Sequence, residues 1–521
     1  MPYKKPNILF IMVDELAPQA LPCHGHPVVQ TPNIDRLAGE GVVFENAYTN
    51  SPICAPARAA MMTGRHTPTI GAFDNGTEIP TSTPTMAHYL RAAGYEATLS
   101  GKMHFIGPDQ LHGFQRRLTT DIYPANFAWT ANWQRPPTAP NPAGVTVSPV
   151  LEAGPCIRSM QIDYDDEVEH VALQELHDLA RRPSDAPPFF LTVSFTHPHP
   201  PFTCGQEHWD LYDHDAIDMP KVGPIAEGDM DEASRYLYFG HRRDRFTVTD
   251  AAVRNARHAY YGMISYIDDK VGRLMDALEQ LGMSEDTIVV FTSDHGEMLG
   301  ERSMWFKMNM FEWSVRVPMI FWAPGKFSPK RVKENVSLVD LLPTFTELGH
   351  GPAPEDFPDE VDGNSMVKLL TTGTDEAWPD VAISDYTANA TPGPVRMIRR
   401  GPFKLIHIPD NLSLLFNLDD DPDELNNLAN QAAHQPLLEE LKAIAFRGYD
   451  PEQVSREVRT SQRRRLFIRD SADPNSTDSN WAYVARPGDE DRFVRSGGIA
   501  KGENATKALA RFPYVEPPLE R

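Results

Sequence analysis

Residues 8–13 (Ile-Leu-Phe-Ile-Met-Val) form an unbroken apolar run that stops at Asp14-Glu15. A short run without alternation predicts a strand buried on both faces, as in a parallel sheet. Buried-strand runs return at 188–195 and 287–292, with further strand-like stretches at 42–48, 95–100 and 318–322. Helical patterns lie between them. Thr31-Pro32 supplies an N-cap and a proline at the first helical position, predicting a helix over 33–40 that Gly41 stops. Thr83-Pro84 repeats that start for a helix through Ala93, closed by Gly94. A long amphipathic pattern covers 254–281 and ends at Gly282. Alternating helices and buried strands predict an α/β fold with a large, mainly parallel or mixed central sheet flanked by helices.

The segment 130–160 is rich in proline and aperiodic, which predicts a long loop. After about residue 375 the pattern changes to short strand candidates at 381–386, 396–399, 404–408 and 415–418. These predict a small antiparallel sheet. The division expected is a catalytic α/β domain over 1–374, a smaller C-terminal α+β unit over 375–460, and an extended tail over 461–521 that packs on something, such as another subunit.

Composition narrows the function. Apolar residues are 41% and charged residues 23% of 521, which is ordinary for a globular chain. The net charge of -23 repels nucleic acid and anionic membrane surfaces, so neither is an expected partner. It also repels anionic substrates at long range, so an enzyme for such esters needs a local cationic pocket. Cys23, Cys54, Cys156 and Cys204 lie far apart, which does not read as a disulfide framework. The opening apolar run is too short for a secretory signal, and no run approaches a membrane span, so the expected compartment is the cytoplasm.

Candidate chemistry sits at strand ends. Asp14 follows one buried strand and Asp294-His295 follows another. In open α/β sheets the ligand crevice lies at those carboxyl ends. Two carboxylates and an imidazole suit one divalent cation: Ca²⁺, Mg²⁺ or Mn²⁺ before zinc, with the histidine favouring Mn²⁺. Acids at strand ends also cap helices, so each motif alone is ambiguous. Cys54-Ala-Pro56-Ala-Arg58, with Thr63-Gly64-Arg65 behind it, places a cysteine just before a helix N-terminus whose first helical position is Pro56. Such an end favours an anion.

Cys54-x-Pro56-x-Arg58 resembles the formylglycine signature of the type I sulfatases, in the alkaline phosphatase-like superfamily. Four further stretches resemble the same family in order: Asn7 to Asp14 with Thr31 to Ala38, Gly101-Lys102-Met103-His104, Ser293-Asp294-His295-Gly296-Glu297, and the acidic run from Asn417 to Leu428. The resemblance implies that a separate maturation enzyme oxidises Cys54 to formylglycine. The hydrated aldehyde attacks sulfur, and its second hydroxyl then expels sulfate. It implies a metal held by Asp14, Cys54, Asp294 and His295. Arg58 and Lys102 neutralise the sulfuryl oxygens, and His104 takes the proton in the collapse. His197 and Lys307 face the leaving group, and Asn75 contacts substrate. Arg58, Lys102, His104, His197 and Lys307 would form the required cationic pocket. Glu15 and His199 are left without a role, and a homo-oligomer is implied.

The stretch from Ser100 to Phe114, with Arg117 to Pro124, Tyr164 to Val168 and Leu191 to His199, resembles the choline-sulfatase-like subgroup. Trp129 is a candidate aromatic face for a quaternary ammonium. The segment 132–154 and neutral Asn504 depart from that subgroup. The expected substrate is therefore a small anionic ester, an aryl sulfate or a small alkyl sulfate such as choline sulfate. Two alternatives are a phosphonate monoester or phosphodiester hydrolase using the same site, and an inactive sulfatase-like binding protein.

Overall fold

The computed structural model of the chain describes residues 5–471 except 352, 354, 355 and 411. A nine-stranded sheet runs in the order Lys330–Ser337, Val42–Tyr48, Met319–Trp322, Thr287–Ser293, Asn7–Val13, Phe189–Ser194, Glu96–Gly101 and Arg116–Arg117, with Arg316–Val317 paired on Val42–Tyr48. From Thr287–Ser293 to Arg116–Arg117 every pairing is parallel. Met319–Trp322 is antiparallel to both neighbours, so the sheet is mixed.

The opening strand shows why the sheet is central. Ile8 to Val13 are fully buried, and alternate side chains enter different layers. Leu9, Ile11 and Val13 pack with Tyr260, Ile264 and Ile267 of the helix Asp250–Gln280 and with Val168 and Leu176 of the helix Met160–Ala180. Ile8, Phe10 and Met12 pack on the other side with Leu90 of Met86–Ala92 and Phe345 of Leu341–Leu348. The result is helix, sheet, helix.

The predicted strands all form, their ends within three residues, the largest shift being the start of Leu412–Asn417, predicted at 415. The helix predicted from Thr83 starts later, at Met86, because Thr85 closes a capping box with His88. The edge strand Lys330–Ser337 was not foreseen. Its Lys330, Arg331, Lys333 and Glu334 break any apolar run, and such charges are how an edge strand avoids further pairing. Within 130–160 the loop is interrupted only by the short helix Ser148–Leu151 and the strand Gly154–Cys156.

The C-terminal strands Val381–Tyr386, Val395–Arg400, Phe403–Ile408 and Leu412–Asn417 make the expected antiparallel sheet. A buried ion network ties it to the large layer. Lys404 Nζ lies 3.0 Å from Glu312 Oε1 and 2.8 Å from Glu424 Oε1, and Tyr48 donates to Glu312 Oε2 at 3.2 Å. Lys404→Met leaves two buried carboxylates facing each other. We expect it to cost about 3–5 kcal/mol, read as a lower denaturation midpoint. An unchanged midpoint would remove the network as a stabilising tie.

The expected extended tail starts differently. Residues 461–470 belong to the helix Pro451–Asp470, whose buried Val454, Val458, Gln462 and Arg465 are masked in sequence by exposed arginines between them. The rest of the tail, with Asn504, lies outside the described residues. Among the described residues no helix is long and apolar enough to cross a membrane.

Candidate active site

Four adjacent parallel strands end on one edge of the sheet, and each delivers part of the site. Val13 pairs with Ser293, so Asp14 and Asp294 emerge side by side. Gly101 pairs with Ser194, and Lys102 N–H then donates to Ser194 O at 2.9 Å. A β-carbon at Gly101 would stand 2.0 Å from Ser194 O, and φ there is +105°, so only glycine permits this approach. The strand Phe189–Ser194 leads to His197. Across the edge lies the helix Cys54–Thr63, buried along its whole length. It begins at Cys54 with Ile53 as N-cap, two residues earlier than proline placement predicted, and Gly64 ends it in the left-handed region. Cys54 is thus the first helical residue and stands at the anion-favouring end.

The predicted metal and nucleophile residues converge. Cys54 Sγ lies 3.2 Å from His295 Nε2 and 3.7 Å from Asp14 Oδ1. One donor atom from each of Asp14, Cys54, Asp294 and His295 falls within 4.8 Å of the others. Arg58 Nε donates to Asp294 Oδ2 at 2.8 Å, and its Nη1 donates to Lys102 O at 2.6 Å and Ser194 Oγ at 2.9 Å. Lys102 Nζ contacts Asp14 Oδ2, and Lys307 Nζ contacts Glu15 Oε2. Arg58 Nη2 is buried without a hydrogen-bond partner.

Burial sets the protonation states, and the neighbours adjust them. It pushes the Cys54 thiol up to about 12 despite Lys307, so the group is a neutral thiol and a poor nucleophile as it stands. It holds the His295 imidazole down at about 3, neutral and free to ligate. It pulls Lys102 down to about 7 even with Asp294 nearby. Burial would raise Asp294, but Arg58, His295 and Lys102 outweigh it and keep the carboxyl well below its ordinary range.

The donor set fits a divalent cation. It offers two buried carboxylates and a neutral imidazole whose other nitrogen, Nδ1, is fixed 3.1 Å from Gly296 O. Glu15, at φ 68°, sits beside this group. Its Oε1 has no partner, and its Oε2 is 3.3 Å from His199 Nε2.

The remaining predicted residues form the approach to Cys54. His197 Nδ1 is 2.7 Å from Asp165 Oδ2, while Nε2 is buried and unpartnered. His104 has neither ring nitrogen bonded and packs edge-on to Trp129, centroids 5.5 Å apart. Tyr123 lies 5.0 Å from both rings, carries Lys102 Nζ 4.0 Å over its own, and reaches His199 at 3.2 Å. Asn75 Oδ1 accepts from Ala55 N–H at 3.0 Å, next to Cys54. Sequence reasoning missed Asp165, Asp121 and Tyr123 as site residues. Asp121 Oδ2 accepts from Met103 N–H at 3.0 Å and His104 N–H at 2.8 Å, fixing the backbone after Lys102. All three stand in stretches that resemble the choline-sulfatase-like subgroup, and that was the available signal.

Comparisons with known proteins place the chain in a family. A family model described as Sulfatase matches residues 6–351, and one described as N-sulphoglucosamine sulphohydrolase, C-terminal, matches 300–446. A choline-sulfatase of Rhizobium meliloti (strain 1021) is 39% identical over 497 residues, covering 94% of this chain and 96% of its own. An arylsulfatase of Clostridium perfringens (strain 13 / Type A) is 29% identical over 467 residues, covering 85% and 94%. Among solved structures, a phosphonate monoester hydrolase of Agrobacterium radiobacter superposes with TM-score 0.67 at 25% identity, covering 88% of this chain and 96% of its own. With more than half its length matched by one family model, the chain belongs to the sulfatase family, the sulfuric ester hydrolases of the alkaline phosphatase-like superfamily.

Proposed function

We propose that this protein hydrolyses a small sulfate monoester, an aryl sulfate or a small alkyl sulfate such as choline sulfate, to the alcohol and inorganic sulfate, with Cys54 in its formylglycine form. The observation that carries the reading is the position of Cys54 Sγ, 3.2 Å from His295 Nε2 and 3.7 Å from Asp14 Oδ1, inside a ring of Arg58, Lys102 and Lys307. Oxidised to formylglycine, position 54 would supply a hydrated aldehyde with one hydroxyl to attack and one to release the product. A divalent cation held by Asp14, Asp294 and His295 would supply Lewis-acid stabilisation of developing oxygen charge.

The chain's own residues do the rest. Arg58 is anchored through Nε and Nη1, so its unpartnered Nη2 is left for a sulfuryl oxygen. Lys102 and Lys307 add charge on either side, which offsets the repulsive acidic surface. Asp165 orients His197 through Nδ1, and in the doubly protonated ring the Nε2–H would protonate the departing alcohol. His104, held among aromatic rings with both nitrogens free, takes the proton when sulfate is expelled. Trp129 and Asn75 contact the alcohol.

His197→Ala is expected to lower turnover of choline sulfate, a poor leaving group, by ~10²–10³-fold, and of p-nitrophenyl sulfate far less. Equal losses on both esters would remove His197 as the acid. The reading itself is tested on protein made with a formylglycine-generating enzyme. The peptide containing Cys54 should be about 18 Da lighter than the thiol form, and the protein should turn over both sulfates. An unmodified, inert protein would return it to the binding-protein alternative. The likeness to the phosphonate monoester hydrolase favours a second reading. Faster turnover of a phenylphosphonate monoester than of either sulfate would establish it.

A further inference from the structure

The helix Pro451–Asp470 reaches the site from the far end of the described chain. Arg465 is almost fully buried, and its guanidinium makes a two-pronged pair with Asp74, Nη1 to Oδ1 at 2.5 Å and Nη2 to Oδ2 at 3.0 Å. The same Nη1 donates to Thr130 Oγ1 at 3.1 Å. Asp74 is wholly buried and binds two loops at once. Its Oδ1 accepts from Gly76 N–H at 2.9 Å within its own turn, and its Oδ2 accepts from Ala131 N–H at 3.1 Å. One loop carries Asn75, bonded to the backbone beside Cys54, and the other carries Trp129, packed on His104. The loops touch so closely that a β-carbon on Gly76 would lie 2.6 Å from Thr130 Oγ1. Two more residues of the helix hold the second loop. Gln462 Oε1 accepts from Trp133 N–H at 2.9 Å, and Arg459 Nη1 donates to Trp133 O at 3.0 Å.

We propose that Arg465 is a positioning residue that, through Asp74 and Thr130, sets the spacing of the Asn75 and Trp129 loops and thereby the affinity of the site for the alcohol part of its ester. This rests on the reading of Asn75 and Trp129 as substrate contacts. A planar fork fixes distance and angle between the groups it joins, whereas an apolar contact lets them slide. No other residue of the helix bonds both loops among the described residues. Arg465 touches neither the nucleophile nor the metal donors, so its effect should fall on substrate binding and spare the chemical step.

The test is steady-state kinetics on choline sulfate and p-nitrophenyl sulfate for Arg465→Lys, Arg465→Met, Asn75→Ala and Trp129→Ala, with a melting curve for each. Lysine keeps the charge and loses the fork. The proposal expects KM to rise about tenfold for Arg465→Lys and further for Arg465→Met, with kcat within about threefold. Should Arg465→Met not fold, the double variant Arg465→Met/Asp74→Asn, which buries no lone charge, is held to the same KM criterion. Raised KM in Asn75→Ala or Trp129→Ala with parental KM in the Arg465 variants overturns the positioning role alone. A lowered melting temperature with parental KM shows a purely structural pair and overturns it equally. Parental kinetics in both Asn75→Ala and Trp129→Ala sinks the substrate-contact reading, and the proposal with it.

Discussion

Cys54→Ala is expected to reduce kcat/KM on any sulfate ester by at least ~10⁴-fold while the protein stays folded. The side chain is buried at the start of a helix built from Ala55, Ala57, Ala59 and Ala60, so alanine fits the local pattern. Losing one sulfur there leaves a small void, worth about 1 kcal/mol. Every charged group of the site remains, so the loss isolates the nucleophile from its electrostatic setting. Cys54→Ser separates the two halves of the reaction. A serine hydroxyl has the reach to attack sulfur and lacks the second hydroxyl that frees the enzyme. Incubation with p-nitrophenyl sulfate should leave the chain heavier by about 80 Da, one sulfuryl group, after at most one turnover. Residual steady turnover by Cys54→Ala above that limit would move the nucleophile elsewhere.

Asp294→Asn is expected to cost about 10³-fold in kcat/KM and to strip the protein of its divalent cation. The carboxylate has two tasks. Its Oδ1 accepts from Glu15 N–H at 3.2 Å and His295 N–H at 3.0 Å, which an amide oxygen reproduces. Its Oδ2 accepts from Arg58 Nε at 2.8 Å, and there the amide places donor against donor. Among the described residues Arg58 then keeps only Asp14, 3.9 Å away, as an acidic partner. Breaking a buried pair on one side costs about 3 kcal/mol, so the melting temperature should fall as well. Elemental analysis after dialysis gives the metal content. About one ion per chain in the parent and almost none in the variant is the expected pair of values. Full occupancy in Asp294→Asn would take Asp294 out of the donor set.

The sequence is most legible where physics is local. Ile8 to Val13 read as a buried strand because nothing polar interrupts them, and Gly282 read as a helix stop because it adopts a conformation other residues avoid. The nearness of Asp14 to Asp294 and His295 was legible because parallel strands place their ends together. What stayed hidden depends on contacts between distant segments. Asp165 lies in the second turn of a polar-looking helix, and only folding sets it beside His197, 32 residues on. The pairing of Arg465 with Asp74 spans 391 residues, and no periodicity encodes it. The start of the Cys54 helix was misjudged because proline at the first helical position is only a preference, and here the helix begins two residues ahead of Pro56.

Four neighbouring strand ends and the buried helix Cys54–Thr63 carry most of the groups proposed to act on sulfur, while two short loops carry Asn75 and Trp129, proposed to face the alcohol. Mutation strikes these parts unequally. A change at a strand terminus disturbs the sheet register, the ion pairs and the fold together, and selection removes it. On the proposed roles, a change at Trp129 would alter one surface and leave bond cleavage intact. Descendants of such a protein would therefore drift in the alcohol they release long before they lose the power to break a sulfate ester, and an engineer seeking a new ester would begin at those loops.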